Sequence, residues 1–235
     1  MLKFFKLGKS ERIIIWNIKD ILIVICSFLF INIVFYLSIV KLFGNNEATS
    51  IIVKYISLIS LIAITIFWIK KKYGLNKEAL GLRKGKLSTF KSFVIGTLTA
   101  LNFHLLTWPV FFSYLSKPSR AHISFLPLLM PLSLGGFATI ILTPVGEEIF
   151  DRGFIYGYLR NKIGIFFGLI VQAVFFSISH LDTYTYGREH ITAIILYHFL
   201  MGLILGILYE KTKSLYPSMA FHGFVNYLVT IRYYL

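Results

Sequence analysis

Long apolar stretches separated by short polar ones set the texture of the chain. Windows at 21–43, 51–69, 92–113, 163–181, 190–209 and 215–234 are each close to the length of apolar helix, about 20 residues, needed to cross hydrocarbon. The stretch 123–160 is apolar enough for one further helix or two. The pattern therefore predicts an all-α, polytopic transmembrane helix bundle of six to eight spans. Within that stretch, "SFLPLLMPLSLGG" at 124–136 carries two prolines and two glycines, which predicts a kinked span or a broken, re-entrant one. The first window is too long for a signal-peptide core and no small-residue cleavage site follows it, so it is expected to remain as a helix.

Composition agrees with this pattern. Of 235 residues, 57% are hydrophobic and 14% charged, and the mean hydropathy is +0.75, far from a soluble domain. The net charge of +14 suggests nucleic acid only until its placement is considered. Residues 1–20 hold five Lys/Arg and residues 70–91 hold eight, whereas the connection "GNNEATS" between the first two windows has only Glu47. That alternation follows the positive-inside rule and predicts that both basic segments are cytoplasmic, beside anionic lipid. The expected partners are the lipid bilayer and a peptide or protein substrate, with no nucleic acid; the oligomeric state is left open. The lone Cys26 excludes an internal disulfide and paired-cysteine metal sites.

Two parts differ in character. Residues 1–87 read as a transmembrane hairpin with basic cytoplasmic segments, an accessory or anchor. Residues 88–235 read as the core that holds the chemistry, because polar residues recur inside its apolar segments: Glu147, Glu148, Asp151, Arg152, His104, His180, His198, His222 and Asn226. No fixed-period repeat is present. A helix over 137–160 that turns at "RNKIG" forms a hairpin with 163–181, which brings Glu147 and His180 to similar depth, roughly 21 and 27 Å from the turn.

Charges near mid-bilayer are costly and mark function by default. Glu148 and Arg152 stand four apart in the order that favours an ion pair, while Glu147 lies about 100° round the axis and is free to face another helix. Phe176 and His180 are likewise four apart, so the ring can pack beside the imidazole and fix its rotamer. Glu147 and His180 are then placed to hold and deprotonate a water, and His222 and Asn226, on one helix face, to stabilise an oxyanion. The plainer readings are a structural ion pair, a helix cap at His180 and interhelical glue at His222 and Asn226. The joint occurrence of the groups favours a site. His104 and His198 read as interhelical polar residues, His198 being close enough to the last hairpin to support the site. HExxH, GxSxG and GxGD are all missing, which disfavours the zincin, serine and aspartyl classes.

"EEIFDR", "FSISH" and "HGFVN" resemble the motifs EExxxR, FxxxH and HxxxN of the CPBP or Abi intramembrane proteases, the CAAX-protease and bacteriocin-processing family. The resemblance covers roughly residues 120–235. It implies catalytic roles for Glu147, His180, His222 and Asn226, and supporting ones for Glu148, Arg152 and Phe176. It favours a glutamate-type endopeptidase that needs no cofactor. In the metal-dependent version a divalent ion such as zinc would be held by Glu147, His180 and His222. Asp151 departs from the family, which usually has an apolar residue before the arginine. The competing readings are a non-proteolytic self-immunity protein and a proton-coupled transporter; the latter lacks the internal repeat it should have.

Overall fold

A computed structural model describes residues 14–115, 133–181 and 191–233. Among them the chain forms helices and no strand: α1 (Ile18–Phe43), α2 (Glu47–Tyr73), α3 (Thr89–Leu115), α4 (Leu134–Ser179), α5 (Ile191–Thr212) and α6 (Tyr216–Tyr233). The first five are long and apolar enough to cross a membrane. At 46 residues, α4 is about twice the required length. It reverses at Gly164, whose φ of 82° and ψ of 169° suit a residue without a Cβ. Arms 134–163 and 165–179 result, with Gly168 packed back on Arg160 and Tyr156. The turn falls within "RNKIG", as the pattern predicted. Five candidate spans among the described residues stand near the predicted six to eight. One helix occupies 134–163; most of the Pro/Gly-rich 124–136 lies outside the described residues, as does the segment following His180 and Leu181.

Local chemistry sets the helix ends. Asn17 and Asp20 form a reciprocal capping box at α1, and Asn46 and Thr49 form another at α2. Asp20 also accepts hydrogen bonds from Trp68 Nε1 (2.9 Å) and Tyr73 Oη (2.6 Å) and pairs with Lys72, which ties the basic end of the α1–α2 hairpin together. That hairpin shares a core with α4: Trp16, Ile69 and Leu80 pack with Ile149, Phe154 and Tyr156, and Trp16 Nε1 donates to the Phe154 carbonyl at 3.0 Å.

The register of α2 against α4 fixes the depth of the polar cluster. Tyr55 Oη donates to the Leu134 carbonyl at 2.8 Å, Lys54 Nζ to Thr139 Oγ1 at 2.9 Å, and Gly146 sits against Leu58 and Ile62. The two run parallel, so Glu147 lies level with the middle of the 27-residue α2.

Helices α3 and α6 approach through Gly96, where an added Cβ would lie 2.3 Å from the Pro217 carbonyl oxygen. Small residues allow such backbone contact between membrane helices. Gly96→Ala is expected to destabilise the protein by about 1–3 kcal/mol through overpacking. Gly135→Ala, whose Cβ would meet nothing within 4 Å, is the control in thermal unfolding in detergent.

Candidate active site

Three helical segments bring the site together. The first arm of α4 supplies Glu147, Glu148, Asp151 and Arg152; its second arm ends at His180; α6 supplies His222 and Asn226. The sequence pattern predicted a regular helix through the acidic cluster, but residues Glu148–Ile155 pair i→i+5, as a π-helix. The hydrophobic pattern does not register this widening, which recurs at functional sites.

Glu148 and Arg152 form the predicted ion pair, Nη1 to Oε1 at 3.1 Å, with both side chains fully buried. The guanidinium lies 4.2 Å from the Phe176 ring centroid, a cation–π contact that places its charge in a dry site. Asp151 Oδ2 lies 3.4 Å from the same Nη1, so the unusual aspartate joins the Arg152 cluster. One guanidinium thus serves two carboxylates, while Arg152 Nε and Nη2 and Glu148 Oε2 lack hydrogen-bond partners. Phe176 also touches His180, with ring centroids 4.3 Å apart, and meets His222 edge-on at 5.6 Å.

The ring hydrogens follow from this network. His180 Nδ1 lies 2.7 Å from the Phe176 carbonyl, an acceptor, so Nδ1 carries the hydrogen and the neutral ring offers an Nε2 lone pair. His222 Nδ1 lies 3.1 Å from Glu148 Oε1, and with Glu148 ionised the same assignment holds. Both Nε2 atoms face Glu147 Oε2, at 3.7 Å from His180 and 3.8 Å from His222. That oxygen is buried and has no hydrogen-bond partner.

Three acceptors thus converge on one point, an arrangement that calls for a bridging donor or a cation. A water supplies two hydrogens and needs one more proton on the cluster to satisfy all three. The same atoms, mutually within 4.8 Å, also form a donor set of one carboxylate and two imidazoles, the type that holds catalytic zinc while leaving a position open. Each imidazole has its other nitrogen bound to a carbonyl or carboxylate, as metal-ligating histidines do. The residues present therefore fit a divalent ion as well as a water.

Asn226 lies one turn beyond His222 on α6, and its Nδ2 donates to the Thr139 carbonyl at 2.9 Å. One hydrogen of that amide is engaged, and among the described residues nothing accepts the second. His198 packs into the site as its sequence position suggested: its ring stacks on His180, with centroids 4.5 Å apart and planes at 19°, and its Nδ1 lies 2.9 Å from the Ile194 carbonyl. His104 is elsewhere, beside Trp108 on α3. Lys54 and Thr139 adjoin the Asn226 end of the site and went unnoticed in the sequence. A lone lysine inside the apolar window 51–69 was the available signal.

Known proteins share this part of the chain. Residues 128–228 match the family model described as type II CAAX prenyl endopeptidase Rce1-like. The chain is 29% identical over 117 residues to a Bacillus subtilis (strain 168) protein named "Putative membrane peptidase YdiL", covering 50% of this chain and 44% of that one. It is 31% identical over 89 residues to the lysostaphin resistance protein A of Staphylococcus haemolyticus (strain JCSC1435), covering 37% of this chain and 24% of the relative. The chain thus spans less than half the length of either relative. No solved structure matches. The matched segment contains all three motifs and every group that meets at Glu147, and over it the chain is similar to the Rce1-like family.

Proposed function

We propose that the chain is an intramembrane endopeptidase that hydrolyses a peptide bond of a membrane-associated peptide, either a lipidated one or a secreted precursor, by Glu/His-activated water. The observation that carries this reading is the convergence of Glu147 Oε2 with the Nε2 atoms of His180 and His222, at 3.7 and 3.8 Å. Water between Glu147 and His180 attacks the scissile carbonyl carbon. Its proton passes to Glu147 as the new C–O bond forms and the carbonyl electrons move to oxygen. His222 and Asn226 donate to that oxyanion. Collapse breaks the C–N bond, and Glu147 returns the proton to the departing amine.

One structural condition follows. His222 Nδ1–H is committed to Glu148, so donation from Nε2 requires a second proton on the His222–Glu148 pair. This is also the extra proton that three converging acceptors need. Arg152, paired with Glu148 and Asp151, offsets one of the three carboxylate charges of the cluster. The donor set of Glu147, His180 and His222 supports a second reading, in which a divalent ion such as zinc supplies Lewis-acid activation of water there.

Chelation separates the two. With purified protein in proteoliposomes and quenched fluorogenic peptides, cleavage is expected to survive 1,10-phenanthroline and to disappear in His180→Ala. Loss on chelation, restored by zinc, would establish the metal-dependent reading instead. No cleavage by the wild-type protein of any peptide in the panel would count against the protease reading and favour a self-immunity role, in keeping with the resistance protein among the relatives.

A further inference from the structure

His180 stands where α4 stops holding its side chains. The helix ends at Ser179, and His180 has φ −97° and ψ 2°, so no following turn of the same helix packs on the imidazole. The χ2 torsion of histidine is broad and roughly two-fold, and the Nδ1 contact with the Phe176 carbonyl at 2.7 Å leaves the ring able to swing about that bond. Neighbouring rings must therefore stop the swing. Phe176 lies 4.3 Å from the His180 centroid with planes at 47°, and His198 lies 4.5 Å away with planes at 19°. Phe176 and His198 are 6.3 Å apart, so the two stand about a right angle apart around the imidazole. His198 covers its face, and Phe176 its flank.

His198 is itself firmly placed. It is 4% exposed, and its Nδ1 lies 2.9 Å from the Ile194 carbonyl. Ser177 Oγ donates to the Ile195 carbonyl at 2.6 Å and Gln172 Nε2 to the Gly202 carbonyl at 2.8 Å. Helix α5 is thus pinned to the second arm of α4 on both sides of position 198. An added Cβ on Gly202 would lie 3.0 Å from Ala173 Cα, so the two backbones are in close contact there. The donor atoms that lie within 4.8 Å of one another come from Glu147, His180 and His222. His198 is outside that group, so it reaches the chemistry only through His180.

We propose that His198 is a positioning residue whose ring face holds the His180 imidazole with Nε2 aimed at Glu147. This rests on the endopeptidase reading and adds a residue to the machinery of that site. A reacting constellation has to be held within about 0.5 Å by groups that are themselves locked, and a misplacement of about 1 Å can cost 10²-fold. A side chain that merely fills the space between α4 and α5 would need only the right volume. A positioning face must be flat.

The test compares His198→Leu, which keeps bulk without a flat face, with His198→Phe, which keeps a flat face without ring nitrogens. Both are made in the full chain and assayed in proteoliposomes, with unfolding midpoints in detergent as the control. His198→Leu is expected to lower kcat about ten- to a hundredfold with KM within about twofold of wild type, and His198→Phe to restore most of the loss. Wild-type turnover in His198→Leu, a change confined to KM, or a folded His198→Phe as slow as His198→Leu would each overturn the proposal. A second measurement needs neither cleavage nor the Phe variant. With ring-¹⁵N histidine in nanodiscs, in metal-free buffer at mildly alkaline pH, the signals lost in His180→Ala identify that ring. In wild type they should show one tautomer, hydrogen on Nδ1, and in His198→Leu they should move toward the average of the two tautomers. Unchanged signals would overturn the proposal. The expected shift in a chain that cuts no peptide would overturn the protease reading alone.

Discussion

Glu147→Gln is expected to reduce peptide cleavage by about 10²- to 10⁴-fold, the contribution of a positioned general base. The protein should still accumulate in the membrane with an unchanged elution profile and unfolding midpoint. The substitution preserves size and removes only the charge. Among the described residues Glu147 has no ion-pair partner other than the two imidazoles, so the described packing depends little on it. Cleavage rates from purified wild-type and variant protein in proteoliposomes provide the measurement. A variant that still cuts within a few-fold of wild type would remove Glu147 from the chemistry. A protective activity that persists in Glu147→Gln combined with His180→Ala would assign this geometry to a non-proteolytic role.

Arg152→Met has its largest effect on folding. It leaves Glu148 fully buried and Asp151 largely so, without their shared cation, and breaking a buried pair from one side costs about 3–5 kcal/mol. It also removes the charge that rests on Phe176, the ring that orients His180. The variant is expected to unfold well below wild type in detergent. Glu148→Gln together with Arg152→Met should recover part of the loss, because the second substitution neutralises the carboxylate that the first has orphaned. A single variant as stable as wild type, or a double variant worse than the single, would show that the pair does not hold the cluster together.

Much of the site was legible because helices impose simple spacings. Glu148 and Arg152, Phe176 and His180, and His222 and Asn226 are each four apart, and such a separation places two side chains on one face whatever the surroundings. The reversal near residue 164 was legible too, since a polar Gly-containing break between two apolar runs has few other solutions. His198 was legible only as a residue close enough to support the site, and the placement of Lys54 was not legible. A histidine or lysine inside an apolar window announces that it needs a partner without saying which helix provides it. The π-helical widening over Glu148–Ile155 was hidden for a different reason: apolar periodicity over eight residues does not separate a helix of one pitch from a slightly wider one.

By itself the sequence determined the class of molecule and the motif-bearing residues. Hydropathy, helical rise and i,i+4 spacing are properties of a single segment and need no knowledge of neighbours. The tertiary structure decided which atoms meet: Nε2 of both histidines at one oxygen of Glu147, Asn226 on the Thr139 carbonyl, His198 stacked on His180, and Lys54 turned toward α4. Those contacts depend on the rotation and axial offset of each helix against the others. Such offsets are set by close packing at points such as Gly96 and Gly146, and no pattern along one helix encodes them.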